Sequence, residues 1–151
     1  MTDPALTLET APLVKTRTLR CSPDHAFDTF VERIGDWWPR EVFSIYGAHE
    51  GGTVMVEPQV GGRIIETSPQ GEQAVWGTVR LWEPKRRLAV TWFPGRSVDE
   101  ATDFELVFEP SGDACALTLT HTGWEVPGRT EARPAYDEGW DLVLERYVTG
   151  L

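Results

Sequence analysis

The chain has 151 residues, a length that fits one domain with one substantial hydrophobic core. Its 24 acidic residues against 14 basic ones give a formal net charge of −10. This balance argues against partners that are themselves negative, namely nucleic acids and anionic membrane surfaces. Hydrophobic content of 40% and charged content of 25% are ordinary for a globular protein, and no apolar run approaches the length of a membrane span.

Two further features of the composition bear on compartment and core. Cys21 and Cys115 are too few for a disulfide framework and lack metal-ligand spacing, and residues 1–10 lack the basic start and apolar core of a secretion signal. We therefore expect a cytoplasmic protein with reduced thiols. The outstanding feature is seven Trp residues, which must be housed in a core, a cavity or an interface.

The N-terminal third is predicted to supply an arm, a strand and a helix. Residues 1–12 are predicted to form a flexible arm and residues 13–151 a single domain, which begins with a strand over 13–20. Ser22-Pro23-Asp24 then predicts a helix start, because Ser can cap a helix, Pro suits its first position and Asp favours the positive end of its dipole. Gly35 is predicted to end this helix.

In the middle of the chain, the apolar residues first follow no clear period and then alternate with polar residues, as is typical of β-strands. Segment 40–52 predicts a short irregular helix and loop. Six strands joined by Gly- or Pro-containing turns are predicted next. They cover residues 53–57, 63–67, 74–83, 88–93, 102–109 and 114–122. In the last strand, Leu117, Leu119 and His121 share one face.

The C-terminal segment 136–151 predicts an amphipathic helix. Its apolar side consists of Tyr136, Trp140, Val143, Leu144, Tyr147 and Val148. Because aromatic rings bring large areas that must leave water, this helix needs a broad apolar partner, and the antiparallel strands can provide it. The sequence thus predicts an α+β fold in which one long helix lies across a sheet of about seven strands, with a helical insertion after the first strand.

Short motifs spread in order over residues 13–151 carry a family resemblance. They are Ser22-Pro23 with Ala26-Phe27, Gly35-Asp36-Trp37-Trp38-Pro39, Glu57-Pro58-Gln59-Val60-Gly61-Gly62-Arg63, Trp76-Gly77-Thr78-Val79, Trp82-Glu83-Pro84 leading to Arg87-Leu88, Thr91-Trp92, Leu117-Thr118-Leu119-Thr120-His121, and Gly139-Trp140 with Leu144. In combination they resemble the SRPBCC, or START-like helix-grip, superfamily. Within it, the chain resembles bacterial single-domain members of the family named after the activator of heat-shock protein 90 ATPase.

The resemblance implies a helix-grip fold with a deep hydrophobic cavity between sheet and C-terminal helix. Relatives in the superfamily bind lipids, sterols, hormones or polyketides, and some catalyse cyclisation or hydroxylation. The co-chaperone that gives the family its name has a second, N-terminal domain to which this sequence has no counterpart. A chaperone partner is therefore not expected, because function belongs to sites rather than to folds.

The polar residues offer few candidates for chemistry. None of the three His residues pairs with another ligand type at metal spacing, so neither a metal nor a cofactor is expected. His121 is the candidate catalytic residue, and two interpretations stay open. It can be a buried His bonded within the core, or a group that orients a ligand or transfers a proton inside the cavity. Arg63 and Glu66 lie on opposite faces of one predicted strand, so only one of them can face the cavity, and for either a structural pairing is expected rather than catalysis.

We expect the cavity to bind a small hydrophobic molecule, as a carrier or sensor and without catalysis. The alternatives are a cyclase- or hydrolase-type enzyme acting on such a ligand and a co-chaperone-like interaction module. The predicted ligand-binding residues are Trp37, Trp38, Trp76, Trp92, Phe104, Leu106, Leu119, His121, Tyr136, Trp140 and Leu144.

Overall fold

The computed structural model describes residues 9–151, and the first eight positions of the predicted arm lie outside that range. The strands are β1 (Leu13–Leu19), β2 (Thr53–Val56), β3 (Arg63–Thr67), β4 (Gln73–Glu83), β5 (Arg87–Trp92), β6 (Thr102–Ser111) and β7 (Ala114–Thr122), and the helices are α1 (Pro23–Glu32), α2 (Ile34–Trp37) and α3 (Arg133–Thr149). Ahead of β1, the Ala11 carbonyl accepts a hydrogen bond from Arg133 Nε at 2.7 Å. The end of the predicted arm therefore contacts α3.

The seven strands form one antiparallel sheet in the order β1-β7-β6-β5-β4-β3-β2. Every predicted strand is present within two residues of its predicted ends. The pairing register shifts between Ile64 and Ile65 and again between Val79 and Leu81. Such irregularities bend strands, which suits a sheet that curls around a helix. The α+β helix-grip architecture is confirmed.

The predicted first helix is divided in two. Ser22 Oγ accepts a hydrogen bond from the His25 backbone N–H at 3.1 Å, so the predicted cap is confirmed. The prediction that Gly35 ends the helix is wrong, because α1 ends at Glu32 and Gly35 lies inside α2. A Cβ at Gly35 would sit 2.9 Å from the Val54 carbonyl oxygen. Glycine is therefore needed at this position for close packing of α2 against β2.

Helix α3 crosses the sheet and completes the core. It begins three residues before the predicted start, with Pro134 in its first turn, where proline is well tolerated. Its buried side chains are Trp140, Val143, Leu144 and Tyr147. Val148 was predicted to share that face but is 41% exposed at the margin of the buried surface. The Tyr147 hydroxyl donates to the Ala26 carbonyl and so ties α3 to α1.

Residues 40–52 make up most of the connection between α2 and β2, and we name this segment the wall loop. It consists of turns, so the predicted short helix is absent from it. Two of its apolar side chains are largely exposed, Val42 at 52% and Ile45 at 48%. Within residues 9–151, every helix is too short or too polar to span a lipid bilayer.

Candidate ligand-binding site

A pocket of about 350 Å³ lies between the sheet, the wall loop and α3 and opens to solvent on one side. Its lining residues are Trp38, Val42, Phe43, Ser44, Ile45, Trp76, Trp92, Pro94, Ala135, Tyr136, Gly139, Trp140 and Val143. This volume is at the lower end of the roughly 300–1,000 Å³ usual for small-molecule sites. The lining is mostly apolar, so the pocket suits a small hydrophobic molecule.

Four indole rings form the walls of the pocket. The ring centroid of Trp38 lies 5.3 Å from that of Trp76, 6.0 Å from that of Trp92 and 6.5 Å from that of Trp140. The rings meet at tilted or edge-on angles, the arrangement that aromatic quadrupoles favour. Because each ring is held by its neighbours, the walls are flat and largely preformed.

Each of these four indole N–H groups already donates a hydrogen bond inside the protein. Trp38 donates to the Phe43 carbonyl and Trp76 to the Glu66 carboxylate. Trp92 donates to the Tyr136 hydroxyl and Trp140 to His121 Nδ1. An indole nitrogen has only this one donor and no acceptor. The walls therefore present apolar ring surface to the pocket and no free N–H.

The wall loop is fastened to the sheet by the buried carboxylate of Glu66. Glu66 Oε1 accepts from the Ile45 backbone N–H at 2.7 Å and from Trp76 Nε1 at 3.2 Å. Its Oε2 accepts from the Tyr46 backbone N–H at 3.0 Å. Glu66 is only 1% exposed, and no cation pairs with it among residues 9–151. Three N–H donors thus compensate for its burial and fix one side of the pocket.

His121 lies behind Trp140 and does not line the pocket. It is fully buried, with Nδ1 2.9 Å from Trp140 Nε1 and Nε2 2.7 Å from Thr102 Oγ1. Since the indole can only donate, Nδ1 must accept, and Nε2 carries the proton that is donated to Thr102. Burial lowers the pKa of His121 to about 3. The side chain is a neutral group bonded within the core, which favours the structural interpretation over proton transfer to a ligand.

The sequence model of the family described as Activator of Hsp90 ATPase homolog 1-like protein matches residues 20–148. The chain belongs to this family. The resemblance found in the sequence motifs is therefore confirmed. A comparison with curated proteins found no match.

Solved structures share the fold of this family member at low sequence identity. Protein MLL2253 from Mesorhizobium loti has a TM-score of 0.70 at 17% identity, covering 93% of this chain and 96% of its own. Protein CV1439 from Chromobacterium violaceum has a TM-score of 0.62 at 18% identity, covering 92% and 96%. The anthrahydroquino-γ-pyrone synthase Txn09 has a TM-score of 0.61 at 24% identity, covering 96% and 100%.

The predicted site residues of this family member divide into two groups. Trp38, Trp76, Trp92, Tyr136 and Trp140 line the pocket. The other six, Trp37, Phe104, Leu106, Leu119, His121 and Leu144, are buried in the core beside it and do not line it. Both groups are on the inward side of the fold, and they differ in whether the side chain borders the pocket or lies in the filled core. The alternation of apolar and polar residues along a strand identifies inward side chains, but it does not distinguish these two positions.

Sequence reasoning missed the contribution of the wall loop to the site. Val42, Phe43, Ser44 and Ile45 all line the pocket, but the segment has no helical or strand period that would assign its side chains to a face. The available signal was three large apolar residues, Val42, Phe43 and Ile45, in a Gly-containing loop. Gly139 on α3 accommodates this loop, since a Cβ there would lie 3.1 Å from Phe43 Cζ.

The remaining polar candidates have structural partners. Arg63 pairs with Glu57, with 2.9 Å between Nε and Oε1, and the Glu66 carboxylate is bonded as described above. Both residues predicted to be paired thus have structural roles. Within the described part of the chain, no group of three or more His, Cys, Asp or Glu side chains is arranged to hold a metal ion.

The depressed pKa of His121 predicts how stability depends on pH. The pKa falls from an ordinary value of 6.5 to about 3 on folding, so between these values the unfolded chain binds a proton that the native protein does not. This contribution to stability is fully present above pH 6.5 and is lost as the pH falls toward 3. We expect His121 to account for a loss of about 2 kcal/mol in unfolding free energy on going from neutral pH to about pH 5.

Urea unfolding of the wild type and His121→Gln at both pH values measures this loss. Gln can accept from Trp140 and donate to Thr102, but it does not titrate, so this variant should lose stability less steeply with falling pH. His25→Gln is the matched control, because His25 is exposed on α1 and should keep the wild-type slope. Equal slopes for wild type and His121→Gln would contradict the assignment of a neutral buried imidazole.

Proposed function

We propose that this protein binds a small, flat, predominantly apolar molecule in the pocket beneath α3, as a carrier or sensor. One observation carries the proposal, a preformed pocket of about 350 Å³ walled by four Trp rings whose N–H groups are all bonded within the protein. Such walls bind flat apolar surface favourably. A highly polar ligand would lose its hydrogen bonds to water there without gaining equivalent hydrogen bonds from the protein.

The residues that line the pocket favour ligand binding over catalysis. Among residues 9–151, its lining contains neither His, Cys, Asp nor Glu, and its one ionisable side chain is Tyr136. Txn09, a synthase that shares this fold, is named for a fused-ring pyrone product. That likeness supports a flat ring system as the ligand. It does not carry over a reaction, because at this identity only the fold is shared.

Binding of a neutral dye tests the proposal. Nile red should gain fluorescence saturably with the wild type, with a dissociation constant on the order of 10 µM, the value for roughly 0.3 kcal/mol per non-hydrogen atom in a ligand of about 24 atoms. Ala135→Trp places an indole at the pocket mouth and should weaken binding about tenfold or more, because the added ring occupies space that the ligand needs.

Glu145→Trp is the matched control, since Glu145 is exposed on the same helix and does not line the pocket. It should bind the dye like the wild type. Equal binding by wild type and Ala135→Trp would place the dye elsewhere and contradict the proposal. Stimulation of a purified heat-shock protein 90 ATPase, together with an absence of saturable dye binding, would instead support the co-chaperone alternative.

A further inference from the structure

The polar side-chain groups that line the pocket are nearly all engaged inside the protein. Besides the four indoles, the Ser44 hydroxyl donates to the Arg40 carbonyl at 2.7 Å and accepts from the Gly47 backbone N–H at 2.8 Å. The Tyr136 hydroxyl accepts from Trp92 Nε1 at 3.2 Å, but its own O–H has no acceptor among residues 9–151. Because a phenol both donates and accepts, Tyr136 keeps one unused donor against the pocket wall.

The positive charges of two guanidinium groups, those of Arg129 and Arg96, influence the Tyr136 hydroxyl electrostatically. Arg129 is only 6% exposed, its Nε donates to the Gly128 carbonyl, and no carboxylate pairs with it in the described part of the chain. Arg96 is farther toward the surface and pairs with Glu100 at 2.9 Å. Their positive charges attract a ligand atom with partial negative charge, such as a hydrogen-bond acceptor, to the space beside Tyr136. They repel the partly positive hydrogen of a ligand N–H or O–H group.

The hydroxyl keeps its proton near neutral pH. Burial raises the pKa of Tyr136, and this outweighs the opposing effects of the Trp92 hydrogen bond and of the Arg129 and Arg96 charges. The group is therefore available as a hydrogen-bond donor. With the other lining groups already satisfied, a ligand with several polar atoms would have to leave most of them unpaired.

We propose that the pocket takes a flat aromatic molecule carrying one carbonyl oxygen, and that the Tyr136 hydroxyl donates a hydrogen bond to that oxygen. This inference rests on the proposed function and adds the chemical class of its ligand. A carbonyl fits the site because it only accepts, so it uses the one unused side-chain donor among the described lining residues and requires nothing further from the indole walls. The indole rings supply the surface for the aromatic part.

Two probes of nearly the same shape test the inference, 2-acetylnaphthalene and 2-isopropylnaphthalene, which differ in the carbonyl oxygen. Their dissociation constants are measured by displacement of Nile red from the wild type and from Tyr136→Phe. In Tyr136→Phe the ketone should lose about tenfold in affinity, the value of one hydrogen bond, while the hydrocarbon changes by about twofold or less. Tyr46→Phe is the matched control, because Tyr46 lies in the wall loop but does not line the pocket.

The outcomes separate this inference from the proposed function. Binding of both probes with no selective loss for the ketone in Tyr136→Phe would overturn the assignment of Tyr136 while leaving the pocket as a binding site. If neither probe displaces bound Nile red from the wild type, the inferred ligand class is overturned while the proposed function stands, and an absence of saturable Nile red binding would overturn both proposals. If Tyr136→Phe does not fold, the infrared carbonyl stretch of bound 2-acetylnaphthalene decides, because a hydrogen-bonded carbonyl absorbs at lower frequency than the same ketone in a hydrocarbon solvent. An unshifted band would overturn the inference.

Discussion

Replacing Trp140 by Ala is expected to lower the free energy of unfolding by about 3–5 kcal/mol. The indole is 2% exposed, and its ring centroid lies 5.2 Å from that of Phe104 and 5.9 Å from that of His121. Truncation opens a cavity between α3 and the sheet and leaves His121 Nδ1 without its donor. Chemical denaturation followed by circular dichroism measures the loss.

Two variants separate the contributions of Trp140. Trp140→Phe keeps a ring but removes the N–H, so an intermediate loss of roughly 1–2 kcal/mol is expected from the unsatisfied nitrogen of His121. Val148→Ala, on the exposed margin of the same helix, should cost less than about 1 kcal/mol. A denaturation midpoint for Trp140→Ala close to that of the wild type would mean that α3 is peripheral to the fold.

Replacing Glu66 by Ala is expected to damage both stability and binding. The change leaves Trp76 Nε1 and the backbone N–H groups of Ile45 and Tyr46 without their acceptor. The loop amides can regain water, whereas the buried indole N–H cannot, so we expect a loss of roughly 2–3 kcal/mol in unfolding free energy. Release of the wall loop should weaken Nile red binding by about tenfold or more, since the ligand must then order the loop.

Glu66→Gln and Glu72→Ala are the comparison variants for this prediction. Gln keeps one acceptor oxygen for Ile45 and Trp76 but presents an NH₂ group to the Tyr46 N–H, so its effects should be intermediate. Glu72 is exposed nearby, and its replacement should change stability by about 0.5 kcal/mol or less. If Glu66→Ala loses stability but binds the dye normally, the carboxylate supports the core without shaping the pocket.

The aromatic cluster has two physical roles at one location. Trp38, Trp76 and Trp92 pack against each other as core residues, and the same rings leave a concave surface where the wall loop and α3 diverge. For this reason stability and binding must be measured together on every variant of these residues. Ala135→Trp changes the open side of the pocket, where the effect on binding should exceed the effect on stability, whereas Tyr136→Phe also removes the acceptor of the Trp92 N–H.

The sequence by itself determined the strands, the C-terminal helix and the inward faces of both. Alternation places Leu117, Leu119 and His121 on one side of β7, and all three are buried there because a strand has a strict side-chain period of two. The helical spacing of Trp140, Leu144 and Tyr147 likewise identified the buried face of α3. These features depend on residues near one another in the chain, which is why local pattern was sufficient to specify them.

Only the tertiary structure decided which buried residues border a cavity and what each polar group does. The wall loop has no period, and its position depends on Glu66, some 20 residues further along the chain. The partners of His121, Thr102 and Trp140, come from β6 and α3, so its tautomer and its low pKa follow from packing between elements. Long-range contacts of this kind leave no periodic trace in the sequence, because they join segments whose spacing along the chain is arbitrary.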